Sequence, residues 1–525
     1  MTQIGAINKE LHAVLRFCIP FAVASACAST AHASYDVPTG CAAPSATFAN
    51  KFYVDPVNGS MSNDGSAARP WRTLSEVATA GLLGFQRYPT PYVQGSQLLP
   101  PKKTAKVFPG DVIILKSGNH GDISLTGAYN SNFITIMAAP GETPVLSRLK
   151  ITGGSRWVFE GLTFESLNRN ATYPSYVNKS YSTSNDFWTV SARADATWGP
   201  LDNIIVNGST LQSKADTSAW TRLDWLTKRA SGALFNAGYV QNDYNQNTVG
   251  GCLTITNNNF RNIGFGVYIG NASRVNVSKN KIDRFVDDGI DFGGKNITIS
   301  DNVITNNIND GDQMHRDAIQ GHAYWGQNTV TSNIVIQNNT IVNQTDPLLP
   351  YPGCLQGVTV FDGIFRNAKI SNNSIVTNQY QAMAFYGTDT LEVNNNVVLS
   401  GAFPDTCYLP EGDGGLPESG GRNSNAVQST TRRLAWIAAW DSQAGRKSTN
   451  VSIHDNISSN YYNMTVAGVT AYNNVVANGL GAKGVGVVVA ARPDQLFSTF
   501  DPTGFRFDLT PVPAALSAIG SANRL

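Results

Sequence analysis

The sequence predicts an all-β protein, a right-handed parallel β-helix (solenoid) with an N-terminal capping helix and long loop insertions. Three observations predict this fold: a regularly recurring asparagine signature, a series of short strands with matching inward positions, and the composition. Only 14% of the 525 residues are charged, and 48 of them are glycine. Such a balance suits short strands and tight turns better than helices.

The asparagine signature begins with isoleucine or valine and has asparagine at its fourth position. It recurs at Asn258, Asn280, Asn302, Asn339, Asn373, Asn396 and Asn456. The regular intervals are 22 residues (280 − 258 and 302 − 280) and 23 residues (396 − 373). A period in the low twenties is typical of a solenoid. Asparagines at one place in successive coils can hydrogen-bond along a ladder and adopt the left-handed turn conformation, so we assign them a structural role.

A second short strand follows each asparagine signature. Its third column is apolar and is predicted to face the core: Val267, Ile290, Ile319, Val358 and Met383. Its fourth column then faces outward: Tyr268, Asp291, Gln320, Thr359 and Ala384. Four residues of its first column are polar, which predicts a corner that keeps them on the surface: Asp288, Asp317, Gln356 and Gln381.

A solenoid needs no second core, so we expect one domain over residues 34–525. Residues 34–85 form its N-terminal cap, in which the stretch from Thr73, "TLSEVATAGLL", is expected to be the helix that covers the open end. Residues 485–525 are expected to form the C-terminal cap.

The first 33 residues read as a signal peptide. Lys9 and Arg16 precede the apolar run "FCIPFAVASACA", and "AHAS" fits cleavage near Ala33. The protein is therefore expected to be secreted or periplasmic. Four cysteines remain after cleavage, and three pairings are open; we favour Cys354 with Cys407, because both lie in Pro/Gly-rich insertions.

The net charge of the chain is +1, so it has no basic field for nucleic acid or a membrane surface. Its apolar run near residue 20 is too short to span a bilayer. We expect a monomer whose partner is a polysaccharide, with neither nucleic acid nor a membrane as a ligand.

Two segments resemble a known superfamily. The stretch from Phe52, "FYVDPVNGSMSNDGSAARPWRTLSEV", resembles the opening segment of pectate-lyase-like β-helix proteins. The stretch from Phe133, "FITIMAAPGETPVLSRLKITGGSRWVFEGLTFES", is similar to the first coils of the chondroitinase B and alginate lyase group. The resemblance covers about residues 50–480 as architecture. It implies a carbohydrate ligand, whereas fold alone does not fix the reaction.

Insertions mark where the coils depart from the repeat. The interval from Asn302 to Asn339 is 37 residues, that from Asn339 to Asn373 is 34, and that from Asn396 to Asn456 is 60. Loops beside a sheet face can form the walls of a groove. The stretch "HRDAIQGHAYW", residues 315–325, lies within the first of these intervals and carries half of the candidate site residues.

The candidate catalytic residues are polar side chains on consecutive coils: Asp288, Asp291, His315, Arg316, Asp317, His322 and Tyr324. The candidate substrate-binding residues are Lys281, Arg284, Gln320, Trp325, Gln356 and Tyr386. Four clustered carboxylates could hold Ca²⁺ through oxygen ligands: Asp287, Asp288, Asp291 and Asp317.

The preferred function is a polysaccharide lyase that cleaves a uronate-containing exopolysaccharide by β-elimination. Such a reaction needs a neutralised carboxylate, a base and an acid. The alginate lyase group, however, has an E-x-E-x-x-S-x-K pattern that this sequence lacks, so its catalytic residues are not carried over.

One alternative is an inverting glycoside hydrolase or an epimerase on the same scaffold. "DDGID" and the "GHA" of residues 321–323 are similar to the paired-aspartate and "GHG" motifs of polygalacturonases, although their basic "RIK" motif is absent. The other alternative is a non-catalytic glycan binder that stacks sugars on aromatic rings such as Trp220, Trp225, Trp325, Tyr351 and Tyr386.

Overall fold

The computed structural model describes residues 35–166, 188–238, 250–310, 316–321, 330–361, 363–377, 379–401, 434–442, 445–477, 497–501 and 506–511. The predicted signal peptide lies outside these ranges. No helix in the described part of the chain is long and apolar enough to cross a membrane.

The strands stack in parallel from coil to coil, which confirms the predicted right-handed parallel β-helix. Twenty of them form one continuous sheet that bends around two sides of each coil. These strands are β1 (Lys51–Val54), β2 (Val112–Leu115), β4 (Asp122–Ala138), β6 (Arg148–Glu160), β8 (Trp188–Arg193), β9 (Leu201–Asn207), β11 (Ser231–Asn236), β12 (Gly251–Thr256), β14 (Val267–Ser278), β16 (Ile290–Ser300), β18 (Arg316–Gly321), β19 (Val330–Gln337), β21 (Leu355–Val360), β22 (Ile364–Ser371), β24 (Met383–Tyr386), β25 (Thr388–Asn394), β27 (Trp436–Trp440), β28 (Thr449–His454), β30 (Asn460–Tyr462) and β31 (Val469–Tyr472).

Twelve further strands form the third side of the coils. They are β3 (Gly118–Asn119), β5 (Pro144–Leu146), β7 (Thr163–Glu165), β10 (Thr210–Gln212), β13 (Asn259–Ile263), β15 (Lys281–Phe285), β17 (Val303–Asn307), β20 (Thr340–Val342), β23 (Ser374–Thr377), β26 (Val397–Ser400), β29 (Ile457–Ser458) and β32 (Val475–Val476). A separate antiparallel hairpin pairs β33 (Phe497–Asp501) with β34 (Arg506–Pro511). The proposed C-terminal cap stays a prediction.

The register of the bent sheet separates its two sides. One side contains β8, β11, the first part of β14 and of β16, then β18, β21, β24, β27 and β30. We call this side the site face. Ile290 pairs with Ile319 and Ile319 pairs with Val358, and all three are fully buried, as predicted for the inward column.

The predicted asparagine ladder lies at the turn between the second and third sides. Nδ2 of each ladder asparagine donates to Oδ1 of the next, at 3.0 Å from Asn280 to Asn302 and 2.9 Å from Asn302 to Asn339. The ladder runs from Asn258 to Asn474. The residue just before each ladder asparagine adopts positive φ, as at Asn338 (φ 57°). The side-chain amides of the ladder therefore satisfy the hydrogen-bonding groups of the buried backbone at this turn.

The predicted N-terminal helix is α1 (Leu74–Thr79). The hydroxyl of Thr73 caps its first turn by accepting from the backbone N–H of Glu76. Leu74 and Val77 are fully buried and belong to the main apolar core. The helix thus covers the apolar cross-section of the first coils, as the sequence predicts.

An N-terminal strap, residues 35–42, crosses the outside of several coils. Its Cys41 forms a disulfide with Cys252 of β12. The strap also bonds to β6 and to the end of β14. Tyr35 donates to Glu160 (2.5 Å), and Asn276 of β14 and Lys279, just after it, donate to Asp36 (2.7 and 2.6 Å). This disulfide agrees with the favoured pairing of Cys354 with Cys407, which leaves Cys41 and Cys252 for each other. Cys354 is disulfide-bonded as well, while Cys407, its predicted partner, lies outside the described residues.

Candidate functional site

A column of small residues shapes the site face next to the predicted aspartates. It precedes the inward column and consists of Gly232, Gly266, Gly289, Ala318, Gly357 and Ala382. A Cβ atom on Gly289 would lie 2.5 Å from the carbonyl oxygen of Ala318, so neighbouring backbones approach very closely here. At this column, side chains three positions apart in the strand register reach the same face.

Asp317 demonstrates this arrangement. Its Oδ1 atom accepts a 2.5 Å hydrogen bond from Oγ1 of Thr359, which belongs to the outward column of the next coil. The first-column aspartate and the fourth-column threonine therefore meet. The predicted corner is confirmed in its effect. The expectation that this column lies on the surface is wrong for Asp317 and Gln356, which are 0% and 4% exposed, whereas Asp288 and Gln381 are half-buried.

Asp288 and Asp317 belong to consecutive coils and are linked directly. The backbone N–H of Asp317 donates to Oδ1 of Asp288 at 2.7 Å. The side chain of Asp288 is half-buried, and this bond fixes its orientation. Asp288 is therefore the more accessible of the two carboxylates.

Asp291 lies in the outward column, paired in register with Gln320 and adjacent to Tyr268. It is nevertheless only 6% exposed. Its Oδ1 atom is buried and has no hydrogen-bond partner. Burial raises the pKa of Asp291 well above its usual range, and the negative charges of Asp288, Asp317 and Asp287 raise it further. The environment therefore favours the neutral, proton-carrying form of this side chain.

A buried ion network supports the aspartates from one side. Arg229 binds Oδ2 of Asp287 at 3.2 Å and Oδ2 of Asp310 at 2.8 Å. Arg316 binds Oδ1 of Asp310 at 2.9 Å and donates to the carbonyl of Val286 at 2.6 Å. Burial raises the pKa of Asp287, while the charge of Arg229 lowers it.

The network corrects two predictions. Arg316, expected to face outward as a charge clamp, is 1% exposed and held in an ion pair. Asp287 likewise points to Arg229 instead of joining the other carboxylates as a metal ligand. Arg229 itself follows α2 (Arg222–Lys228), in an insertion that has no counterpart in the repeat, and donates to the carbonyls of Trp225 and Leu226. Sequence reasoning missed it for that reason.

Two predicted substrate-binding residues lie elsewhere. Lys281 and Arg284 belong to β15, on the third side of the coils. Lys281 is exposed, and Arg284 bonds to Asp283 and Asp346 at 3.3 and 2.7 Å. The expectation that they join the carboxylates is therefore wrong.

The other predicted binding residues have different positions. Gln320 and Gln356 lie beside the carboxylates and are 7% and 4% exposed, and Oε1 of Gln356 is buried without a hydrogen-bond partner. Tyr386 is half-buried on the site face, and its hydroxyl accepts a 2.9 Å bond from Gln381. Burial raises the pKa of Tyr386 to about 12, which keeps the phenol neutral.

Four predicted site residues lie outside the described residues: His315, His322, Tyr324 and Trp325. Trp220 and Trp225, expected as sugar-stacking rings, are 8% and 0% exposed and pack with Val286, Ile308 and Leu349. Their role is to anchor the insertion that carries α2.

A group of aromatic rings on the site face was largely missed. We call it the aromatic face; it consists of Phe361, Tyr380, Tyr386, Trp436, Trp440 and Tyr462. Only Tyr386 was predicted. The alternation in "WIAAW", which places Trp436, Ala438 and Trp440 on one side of β27, was the sequence signal that could have revealed it.

The predicted calcium site does not fit the observed donors. Among the residues that the structure describes, no three His, Cys, Asp or Glu side chains converge as metal ligands. Asp287 faces Arg229, and Asp317 accepts from Thr359, so their oxygens do not share one centre. We therefore derive no step through calcium.

The family described as "Right handed beta helix region" matches residues 244–430. The comparison with curated protein sequences found no match. Among solved structures, the chain is similar to the pectate lyase Pel9A, with 12% identity, a TM-score of 0.35, and coverage of 87% of this chain and 84% of that one.

It is also similar to a GH136 lacto-N-biosidase from Eubacterium ramulus, with 11% identity, a TM-score of 0.39, and coverage of 84% and 67%. A mannuronic acid specific family 6 lyase from human gut microbiota gives 13% identity, a TM-score of 0.29, and coverage of 74% and 78%. At these values the similarity concerns the general fold and does not identify a reaction.

Proposed function

We propose that this protein is an exported carbohydrate-active enzyme that cleaves a polysaccharide, and that it does so by glycosidic hydrolysis. The observation that carries the proposal is the pairing of two unlike carboxyl groups on one face. Asp291 is buried with an unpartnered Oδ1, and Asp288 is half-buried and oriented by the Asp317 N–H. Two carboxyl groups in different environments are what acid and base catalysis of glycosidic cleavage requires.

In this proposal Asp291 donates its proton to the oxygen of the leaving sugar. The buried, negatively charged surroundings hold that proton on the carboxyl until the substrate arrives. Asp288 acts as the base that removes a proton from the attacking water. Asp317, held by Thr359, is a positioning residue, because its backbone N–H orients Asp288.

Hydrolysis is favoured here over the β-elimination that the sequence alone favours. Elimination next to a uronate needs a group that neutralises the substrate carboxylate. Among the residues that the structure describes, the arginines beside the aspartates are Arg229 and Arg316, and both are engaged in buried ion pairs. Beside the neutral Asp291, the carboxylates of Asp288 and Asp317 would repel the carboxylate of a uronate, so this face suits an uncharged sugar better.

The proposal is tested by incubating the purified protein with a panel of neutral and acidic polysaccharides. We expect new reducing ends without an increase in absorbance near 235 nm, where the unsaturated uronate from elimination absorbs. An increase at that wavelength together with chain cleavage would establish a lyase instead. A panel that yields neither signal, at enzyme concentrations at which polysaccharide binding is measurable, would contradict catalysis.

A further inference from the structure

We propose that the aromatic face is a sugar-binding platform, over which the longer part of a bound, uncharged polysaccharide extends from the carboxylates. This inference rests on the proposed function, since the carboxylates fix where cleavage occurs. It adds the course of the substrate, the chemical class of sugar and the residues that hold it.

Four rings of the aromatic face lie on three successive strands, β24, β27 and β30, while Phe361 follows β21 and Tyr380 precedes β24. The ring centroids of Trp436 and Tyr462 are 4.7 Å apart with planes inclined by 14°, so these rings stack. Tyr386 and Trp440 contact edge to face at 4.5 Å, and Phe361 lies 4.7 Å from Tyr386. On two of these strands, Ala384 and Ala438 occupy the outward column and are fully buried.

The platform continues the column that contains Asp291. In register, Asp291 pairs with Gln320 and then, through Thr359, Ala384 and Ala438, the column reaches Tyr462. These are five steps of about 4.8 Å, or about 24 Å in total. A polysaccharide lying along the solenoid axis would therefore place several sugar rings on the aromatic face while one bond reaches the carboxylates.

The site face on the N-terminal side of Asp291 offers less accessible aromatic surface. On the coils before Asp291, the side chains of Trp188, Leu234 and Phe265 are buried together, at 7%, 7% and 8% exposure, and Tyr268 packs against them. By contrast, Tyr462 on the aromatic face is 45% exposed. The accessible rings thus lie on the C-terminal side of the carboxylates, which gives the bound chain its direction.

The chemistry of the platform favours uncharged sugars. Aromatic faces attract the C–H-rich sides of pyranose rings through apolar contact and carry no positive charge for a carboxylate. Tyr386 keeps its proton because of its raised pKa, so it remains a hydrogen-bonding group without charge.

The test is affinity electrophoresis of the full-length protein through gels that contain one polysaccharide each. The probes are galactomannan, xyloglucan and mixed-linkage β-glucan as neutral polymers, with polygalacturonate and alginate as acidic ones. The Asp291→Asn variant serves as the parent so that the polymer is not consumed, and wild-type protein is run beside it. We expect retardation by at least one neutral polymer, and an approximately tenfold higher dissociation constant after Tyr462→Ala or Trp440→Ala.

Tyr472→Ala is the matched control. Tyr472 is 41% exposed and stacks on His454 at 4.7 Å, in β31 on the other side of the bent sheet. Its removal should leave retardation unchanged. Thermal unfolding of each variant shows whether it folds. If Trp440→Ala does not fold, Tyr462→Ala, at the more exposed position, decides the test.

The outcomes separate this inference from the proposed function. If Tyr462→Ala binds every polymer as the parent does, or if no neutral polymer retards the parent, the platform is overturned, whether or not cleavage occurs. If Tyr462→Ala weakens binding but no polymer is ever cleaved, the platform stands and hydrolysis does not.

Discussion

The backbone N–H of Asp317 donates to Oδ1 of Asp288 at 2.7 Å, so one coil orients the carboxylate of the coil before it. The geometry of the candidate site therefore depends on the stacking of neighbouring coils and not on a single loop. Asp291, three positions after Asp288 in the same coil, lies near enough for the charge of Asp288 to raise its pKa. Predictions about the site therefore concern individual carboxyl groups held at fixed positions.

Replacing Asp291 with asparagine should remove catalysis without unfolding the protein. The amide has nearly the same shape but cannot deliver a proton, so the rate of reducing-end release should fall by about 10²-fold or more. Asp301→Asn is the matched control, because Asp301 is exposed at a turn with φ 58°, a conformation that asparagine also adopts. Equal rates for Asp291→Asn and Asp301→Asn would exclude Asp291 as the acid.

The stability of the protein should depend on pH through Asp291. The pKa of Asp291 is raised on folding, so the folded state holds more protons than the unfolded state between about 3.9 and the raised value. Stability contributed by this side chain is therefore lost as pH rises through that interval. Urea unfolding at several pH values should show the Asp291→Asn variant gaining stability relative to wild type as pH rises. Parallel stability curves would contradict the raised pKa.

Replacing Arg229 with methionine should destabilise the protein strongly. Asp287 and Asp310 would keep their buried positions and lose a cation, which typically costs about 3–5 kcal/mol. Arg72→Met provides the comparison, since Arg72 pairs with Glu76 on the surface at 57% and 31% exposure and should contribute about 1 kcal/mol or less. Urea unfolding measures both. Similar losses in the two variants would show that the buried network does not stabilise the fold.

Replacing an internal asparagine of the ladder should lower the free energy of unfolding. Asn302 accepts from the backbone N–H and Nδ2 of Asn280, both at 3.0 Å, and donates to Val277 and Asn339, both at 2.9 Å. Asn302→Ala leaves these buried groups unpaired and should cost about 3 kcal/mol or more. Asn338→Gly, at an exposed position with φ 57°, should change the unfolding free energy by about 1 kcal/mol at most. Near-equal effects would argue against a cooperative ladder.

The fold could be predicted because its physical causes repeat along the chain. Successive coils repeat the ladder asparagine and the inward apolar residue. A wrong assignment at one coil is therefore recognised from the pattern of the next. The same register placed Asp291 beside Gln320 correctly. The Gly and Ala column at Gly266, Gly289 and Ala318 was also present in the sequence, but its effect depends on backbone distances that a strand pattern does not contain.

The parts that could not be predicted arise outside the repeat. Arg229 reaches Asp287 from an insertion, so no register links the two residues before the insertion is folded. Arg316 points inward because it pairs with the buried Asp310, which lies six positions earlier in an irregular stretch. The packing of the strap over Phe133, Val158 and Ile205 on the outside of the coils, which brings Cys41 to Cys252, lies outside the repeat as well.

The strap has a consequence for how the molecule comes apart. Stacked coils touch only their neighbours, so a bare solenoid can fray from either end one coil at a time. The Cys41–Cys252 crosslink joins residues that are 211 positions apart in sequence. The strap also bonds to Glu160, before Cys252 in the chain, and to Lys279, after it. The coils between β6 and β14 are thereby fastened into one cooperative unit. Fraying should then begin among the C-terminal coils, and disulfide reduction should release the N-terminal ones to unravel separately.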